Sequence, residues 1–209
     1  MKSLAQIFTL VALLALTGAA QAQTTLDFEA LPNPSNGSFT NQGVSITEDG
    51  FTLTALQHNQ YGFASIASDG ANISLNYTGS VALFNNTIGG VTRLTQDNGN
   101  PFTLNSIDLA NLFLQPVRPG GDSVDFTGDV QGGGMVTQSF TLAASNALQT
   151  FAFNASFTNL LSVSFTQDGL LNQFDNIVVN GGTPVPEPGS VALLVGAGIG
   201  GVTLRRRKK

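Results

Sequence analysis

Between Thr25 and Val179 one short pattern recurs roughly ten times: apolar and polar residues alternate over five to ten positions, then a turn follows. The longest stretch, Phe102 to Leu112, alternates over several pleats. Shorter ones are Ser123–Gly128, Met135–Leu142, Gln149–Phe153, Leu161–Thr166 and Phe174–Val179, preceded by Thr25–Glu29, Phe51–Leu56, Asn72–Tyr77 and Ser80–Phe84. Period two sends successive side chains to opposite faces of a strand, so each segment can bury one face and wet the other. Turn formers punctuate the series at Asn36-Gly37, Asp49-Gly50, Asp69-Gly70, Gly89-Gly90, Asn98-Gly99, Gly120-Gly121, Gly132-Gly133-Gly134 and Asp168-Gly169. Short strands at this spacing predict an all-β fold: an antiparallel β-sandwich of jelly-roll type. Most of the fifteen phenylalanines fall on the alternating positions and read as its core.

The two ends have another character. Lys2, the apolar run Leu4–Ala15 and the small-x-small triplet Ala20-Gln21-Ala22 form a signal peptide, with cleavage expected between Ala22 and Gln23. Its expected partners are the Sec translocon and signal peptidase. At the other end, Pro184–Gly189 is proline-rich, Ser190–Leu204 is a fifteen-residue apolar helix, and Arg205, Arg206, Arg207, Lys208 and Lys209 form a basic stop. The helix is shorter than the ~20 residues a bilayer crossing normally takes, and Gly196, Gly198, Gly200 and Gly201 weaken it further. The five cations would hold its C-terminus on the cytoplasmic side. The chain therefore divides into a signal peptide over 1–22, a β-sandwich over 23–182 and a C-terminal segment over 183–209. The middle part, of about 160 residues, suits one domain with its own core. Without cysteine, disulfides and thiolate zinc sites are excluded.

The net charge of −5 hides an asymmetry. Once the ends are set aside, Arg93 and Arg118 are the only cations against twelve acids, a formal −10. Such a body offers nucleic acid no basic surface, and it attracts divalent cations.

Catalytic constellations are missing. His58 is the sole histidine and lies in a loop-like Gln57–Gln60 stretch. Asp27 and Glu29, two apart on a predicted strand, would share a face and could suit glycoside hydrolysis, but nothing else in the chain supports a glycan hydrolase. The expectation is a non-enzymatic protein. Glu29 near the first strand and Asp175 on the last form a candidate calcium site, because first and last strands of such sandwiches often lie side by side and calcium takes hard carboxylate oxygens. Asp122, Asp125 and Asp129 match no EF-hand spacing and read as a solvated acidic face. Tyr61 and Tyr77 are the only candidate sugar platforms, as tryptophan is absent and most phenylalanines read as core. The Asn-x-Ser/Thr triplets at Asn36, Asn72, Asn76, Asn85 and Asn154 arise by chance in a chain of this composition.

Val185-Pro186-Glu187-Pro188, the apolar helix and the terminal arginine cluster, in that order, resemble the PEP-CTERM sorting signal of Gram-negative bacteria. The resemblance covers about twenty-five residues, and the signal peptide and Ser/Thr/Asn/Gly-rich body accord with it. It implies an exosortase partner that cleaves near Pro186-Glu187-Pro188, a transient inner-membrane intermediate, and export to the cell surface or extracellular matrix. It further implies an association with exopolysaccharide and biofilm. The starting Leu26–Glu29 and closing Phe174–Val179 also look like those of carbohydrate-module sandwiches, a fold-level likeness from which function does not transfer. Two expectations follow for the body: a surface or matrix protein, or a carbohydrate-binding module, which calcium-dependent affinity for glycans would favour.

Overall fold

The structure is a computed structural model that describes residues 23–32, 39–57, 60–66, 74–114, 122–143, 145–167 and 172–180. Gln23–Gly182 forms one compact unit. Its strands are β1 (Gln23–Leu26), β2 (Thr40–Gly43), β3 (Ser45–Glu48), β4 (Phe51–Gln57), β5 (Phe63–Ile66), β6 (Ala82–Asn85), β7 (Val91–Gln96), β8 (Thr103–Asn111), β9 (Ser123–Val130), β10 (Met135–Thr141), β11 (Gln149–Ala152), β12 (Leu160–Gln167) and β13 (Asn172–Asn180). They build two antiparallel sheets, one of six strands in the order β10-β9-β12-β7-β4-β3 and one of seven in the order β11-β8-β13-β6-β5-β2, with β1 also paired to β13. No helix among the described residues is long and apolar enough to cross a membrane.

Alternation decides what faces inward. Ile46, Leu53, Leu94, Val124, Phe126, Val163 and Phe165 of the six-stranded sheet meet Phe63, Leu83, Leu104, Ile107, Leu109, Phe174 and Ile177 of the other. Phenyl rings link across this core. Phe174 lies edge-on to Phe28, Phe63 and Phe165, Phe165 stacks on Phe126, and Phe126 meets Phe140 and Phe153. Such edge and offset contacts add to the burial of each ring.

Part of the outer face of the seven-stranded sheet is covered as well. Ala64, Ile66, Phe84 and Leu112 form a second apolar cluster with Leu75, Tyr77 and Phe113 packed on it. Beside it, the Asn76 amide donates to the carbonyls of Asn111 and Asn146, and the Gln173 amide donates to those of Asn76 and Asn111. Asn111 in turn donates to Ser145 O at 2.7 Å. Buried backbone carbonyls need donors, and these amides supply them.

One side of the sandwich is laced shut by the chain itself, because β2 belongs to the seven-stranded sheet and β3, one residue later, to the six-stranded one. At the crossing Gly43 bridges Gly62, and a Cβ on Gly62 would stand 2.4 Å from the Gly43 carbonyl oxygen. Only glycine allows that approach.

Most alternating segments appear as β4, β6 and β8 to β13. Two expectations are corrected. The strand expected over Thr25–Glu29 ends at Leu26, because Phe28 turns the chain with φ 57°. In the described part of Asn72–Tyr77 only Leu75 makes an isolated bridge, to Phe113, and no strand forms. β2, β3, β5 and β7 were not foreseen. The signal peptide with Ala22, the motif Val185–Pro188, the helix over Ser190–Leu204, the basic stop Arg205–Lys209, His58 and Arg118 all lie outside the described residues.

Candidate functional site

Three places concentrate polar chemistry, and the first lies where β13 is shared. Along one edge β13 pairs with β6 at Phe174 and with β1 from Ile177 to Asn180, so the two neighbours leave a gap opposite Asp175 and Asn176. The ladder to β8 shifts register between Asp175 and Val178, and Asn176 has φ 46°. A bulge of this kind re-aims side chains. Asp175 is fully buried. Its carboxylate accepts from Ser80 Oγ and, at 2.7 Å, from the Asn176 N–H. Glu29 closes the gap from the β1 side, accepting from the Val81 N–H at 3.0 Å. Asp108 binds the Asn176 amide at 3.0 Å. Burial drives the Asp175 pKa up to about 6; the Ser80 and Asn176 hydrogen bonds oppose this, and the charges of Glu29 and Asp108 add to it.

Glu29 and Asp175 are thus brought to one gap, each already holding a donor of the protein. Among the described residues no group of three or more His, Asp or Glu side chains has a metal-holding arrangement. An ion there would draw its remaining oxygens from hydroxyls, carbonyls or water, which calcium accepts.

Asp27 goes elsewhere. The left-handed turn at Phe28 separates it from Glu29, so the two carboxylates do not share a face. Asp27 instead lies against Glu48 at the end of β3, and both Glu48 oxygens accept from the buried Phe28 N–H, at 3.1 and 3.2 Å. Burial raises the Glu48 pKa to about 7; the Phe28 hydrogen bond lowers it, and the charges of Asp27 and Asp49 push it back up. Glu48 also lines a cavity of about 170 Å³ with Phe28, Ala30, Leu31, Ile46 and Thr47.

The third place is the outer face of the six-stranded sheet. Register sets Thr137, Thr127, Ser164, Arg93, Thr54 and Ser45 in one row across all six strands. Thr47 and Thr52 form a neighbouring pair, their hydroxyls 3.0 Å apart, and Thr52 donates to Asp97 at 2.6 Å. Arg93 is the only lysine or arginine among the described residues, and its guanidinium donates to Ser162 Oγ at 3.2 Å. Asp125 and Asp129 stand on the same face, on alternate positions of β9. Asp125 accepts from Ser139 at 2.5 Å, and Asp122 directly precedes that strand. Of the two tyrosines, Tyr77 is packed on the second apolar cluster and Tyr61 is exposed. Neither stands in the row. The row escaped sequence reasoning because it depends on register across six strands, three of whose five ladders join segments distant in the chain.

No protein-family profile matches the chain, and no curated protein sequence is similar to it. Among solved structures it is similar to a carbohydrate binding module of family 29, at 12% identity over 76% of this chain and 87% of that one, with a TM-score of 0.36. It is also similar to the CBM22-1-GH10 modules of Clostridium thermocellum endo-1,4-beta-D-xylanase 10B complexed with xylohexaose. There the identity is 11%, over 79% of this chain and 29% of that one, with a TM-score of 0.39. For an exo-beta-agarase the values are 14%, 78%, 26% and 0.32. Likeness this distant carries no functional argument.

Proposed function

We propose that the chain is an exported, non-enzymatic surface or matrix protein, sorted through its PEP-CTERM signal, whose sandwich touches exopolysaccharide with the outer face of the six-stranded sheet. The order of motif, apolar helix and arginine cluster at the C-terminus supports the sorting part. The row through Arg93 supports the polysaccharide part. Sugar hydroxyls both donate and accept, and the face meets them with hydroxyls, carboxylates and one guanidinium. No aromatic platform stands in the row, so each contact is weak and retention comes from many copies along a polymer. The chain's repeated crossing between sheets, from β7 through β9 and from β10 through β13, supports the jelly-roll reading of the sandwich.

Two measurements test this. The intact mass of surface material should lack Arg205–Lys209; a mass that retains Lys209 overturns the sorting reading. In affinity gels containing acidic or neutral polysaccharides, Gln23–Gly182 should be retarded, and Arg93→Ala should weaken retardation roughly tenfold. Equal retardation of both proteins, or none by any polysaccharide, overturns the binding face.

A second reading, calcium at Glu29 and Asp175, is favoured by their meeting at the gap beside β13. Calcium at millimolar concentration should then raise the melting temperature, and Asp175→Ala should abolish the increase. A melting temperature indifferent to calcium and chelator overturns it.

A further inference from the structure

From Val130 to Gln167 the sequence contains no Asp, Glu, Lys, Arg or His, although the body around it is strongly acidic. Folding gathers much of this stretch on one side of the sandwich. β10 is the last strand of the six-stranded sheet, and β11 is the last of the seven-stranded sheet. The two are tied together by Gln138, whose amide donates to Ala152 O at 3.2 Å and whose oxygen accepts from Asn154. Here, as on the β2–β3 side, both sheets end in a strand with a single ladder partner among the described residues: β9 for β10, and β8 for β11.

Nothing along β10 guards this edge. Protective devices on edge strands are charges, prolines and bulges. Met135–Thr141 has no charge or proline, and it pairs with β9 in unbroken register. Inside the edge, Phe140, Phe151 and Phe153 form a ring cluster with centroids 4.9 and 5.1 Å apart, and all three are only partly buried. Met135, at the start of the strand, is 76% exposed.

We infer that this side is a self-association surface, on which β10 of a second copy of this chain pairs antiparallel with β10 about a two-fold axis through Gln138. The choice of a second copy rests on charge and on sequence. Two bodies of the same strong negative charge repel wherever acids face each other, and this uncharged side lets them meet without like charges in contact. Centred on Gln138, the strand is complementary to itself. Val136 meets Phe140 of the other copy, Thr137 meets Ser139, and Met135 meets Thr141. Apolar–aromatic and hydroxyl–hydroxyl pairs are favourable across strands. The same axis, perpendicular to the sheets, sets β11 beside its own copy, so both layers continue through the contact. A two-fold contact of this sort is self-complementary and closes at two copies.

Sedimentation velocity on Gln23–Gly182, which contains the whole described core, tests the inference. The protein should associate to a dimer at tens of micromolar or below, more strongly at about 0.5 M salt than at about 0.02 M, as repulsion between the acidic bodies is screened. Thr137→Lys with Ser139→Lys sets lysines opposite lysines twice and should weaken association about tenfold or more. Thr137→Glu with Ser139→Lys sets unlike charges opposite each other in this register alone and should restore it to within about threefold of the original. Unchanged melting curves for both variants, whose substitutions are on the solvent face, exclude misfolding as the cause. A monomer at all concentrations and salts overturns the inference. So does a dimer indifferent to both pairs of substitutions, or an edge that takes up only an unrelated extended peptide.

Discussion

On the seven-stranded sheet, β5 and β6 bury every residue on both faces. On the six-stranded sheet, β9 buries Val124, Phe126 and Gly128 and turns Ser123, Asp125 and Asp129 to solvent. At β5 and β6 the first sheet is an interior layer, covered outside by the second apolar cluster with Leu75 and Phe113. The second is a wall with one wet side. Strands covered on both faces have no need to alternate, whereas a half-wet strand must. The open wall is therefore where binding chemistry can be displayed at little cost to folding, and the covered sheet is where stability is concentrated.

The largest expected difference between the sheets comes from their outer faces. Gln173→Ala removes the donor to the buried Asn76 carbonyl and leaves a void, and should lower unfolding free energy by about 2–4 kcal/mol in urea titration. A loss under about 0.5 kcal/mol would mean that the cover over this sheet is loose.

An intermediate effect is expected from pH. Asp175 and Glu48 hold protons in the folded chain up to about pH 6 and 7, whereas their ordinary values are 3.8 and 4.5. In the interval between, the native state binds more protons than the unfolded one. Their contribution is thus complete below the ordinary values and is lost as pH rises through the folded ones. Without added metal the melting temperature should fall by on the order of 5 °C from pH 5 to pH 7.5, and Asp175→Asn should flatten the part of the slope below about pH 6. A melting temperature that climbs over this range would show that these acids are ionised and held by something positive.

The smallest effect belongs to the open wall. Thr54→Ala, in the row through Arg93, should change stability by less than about 0.5 kcal/mol. A loss above about 1 kcal/mol would show this face to be part of the protein's support and not a free display.

The same contrast explains what could be read from the sequence. Half-wet strands announced themselves: β4, β9 and β10 alternate visibly between apolar and polar residues. β5, Phe63–Ile66, has no alternation to detect because Ala64 and Ile66 are buried against the second cluster as firmly as Phe63 is against the first. β7 hid for another reason. It turns Thr92 and Gln96 inward beside Leu94, so its apolar period is broken. β2 and β3 are four residues each, and the crossing between them depends on two glycines meeting, a tertiary event. The pairing of Glu29 with Asp175 was legible because strand adjacency follows from fold class. That Asp27 would leave its neighbour for Glu48 was not, because it turns on the single left-handed residue Phe28, a type that sequence gives no reason to expect there.

Mechanics gives β13 a further role. Its last residue, Asn180, lies directly opposite Gln23, and the segment that follows leaves from that point. A pull applied at Asn180 acts along a strand flanked by β8 on one side and by β6 and β1 on the other. Its ladder bonds lie across the line of force, so they bear the load together in shear and do not peel open one after another. A load applied between Asn180 and the far wall of the sandwich would therefore be carried by a strand held on both sides.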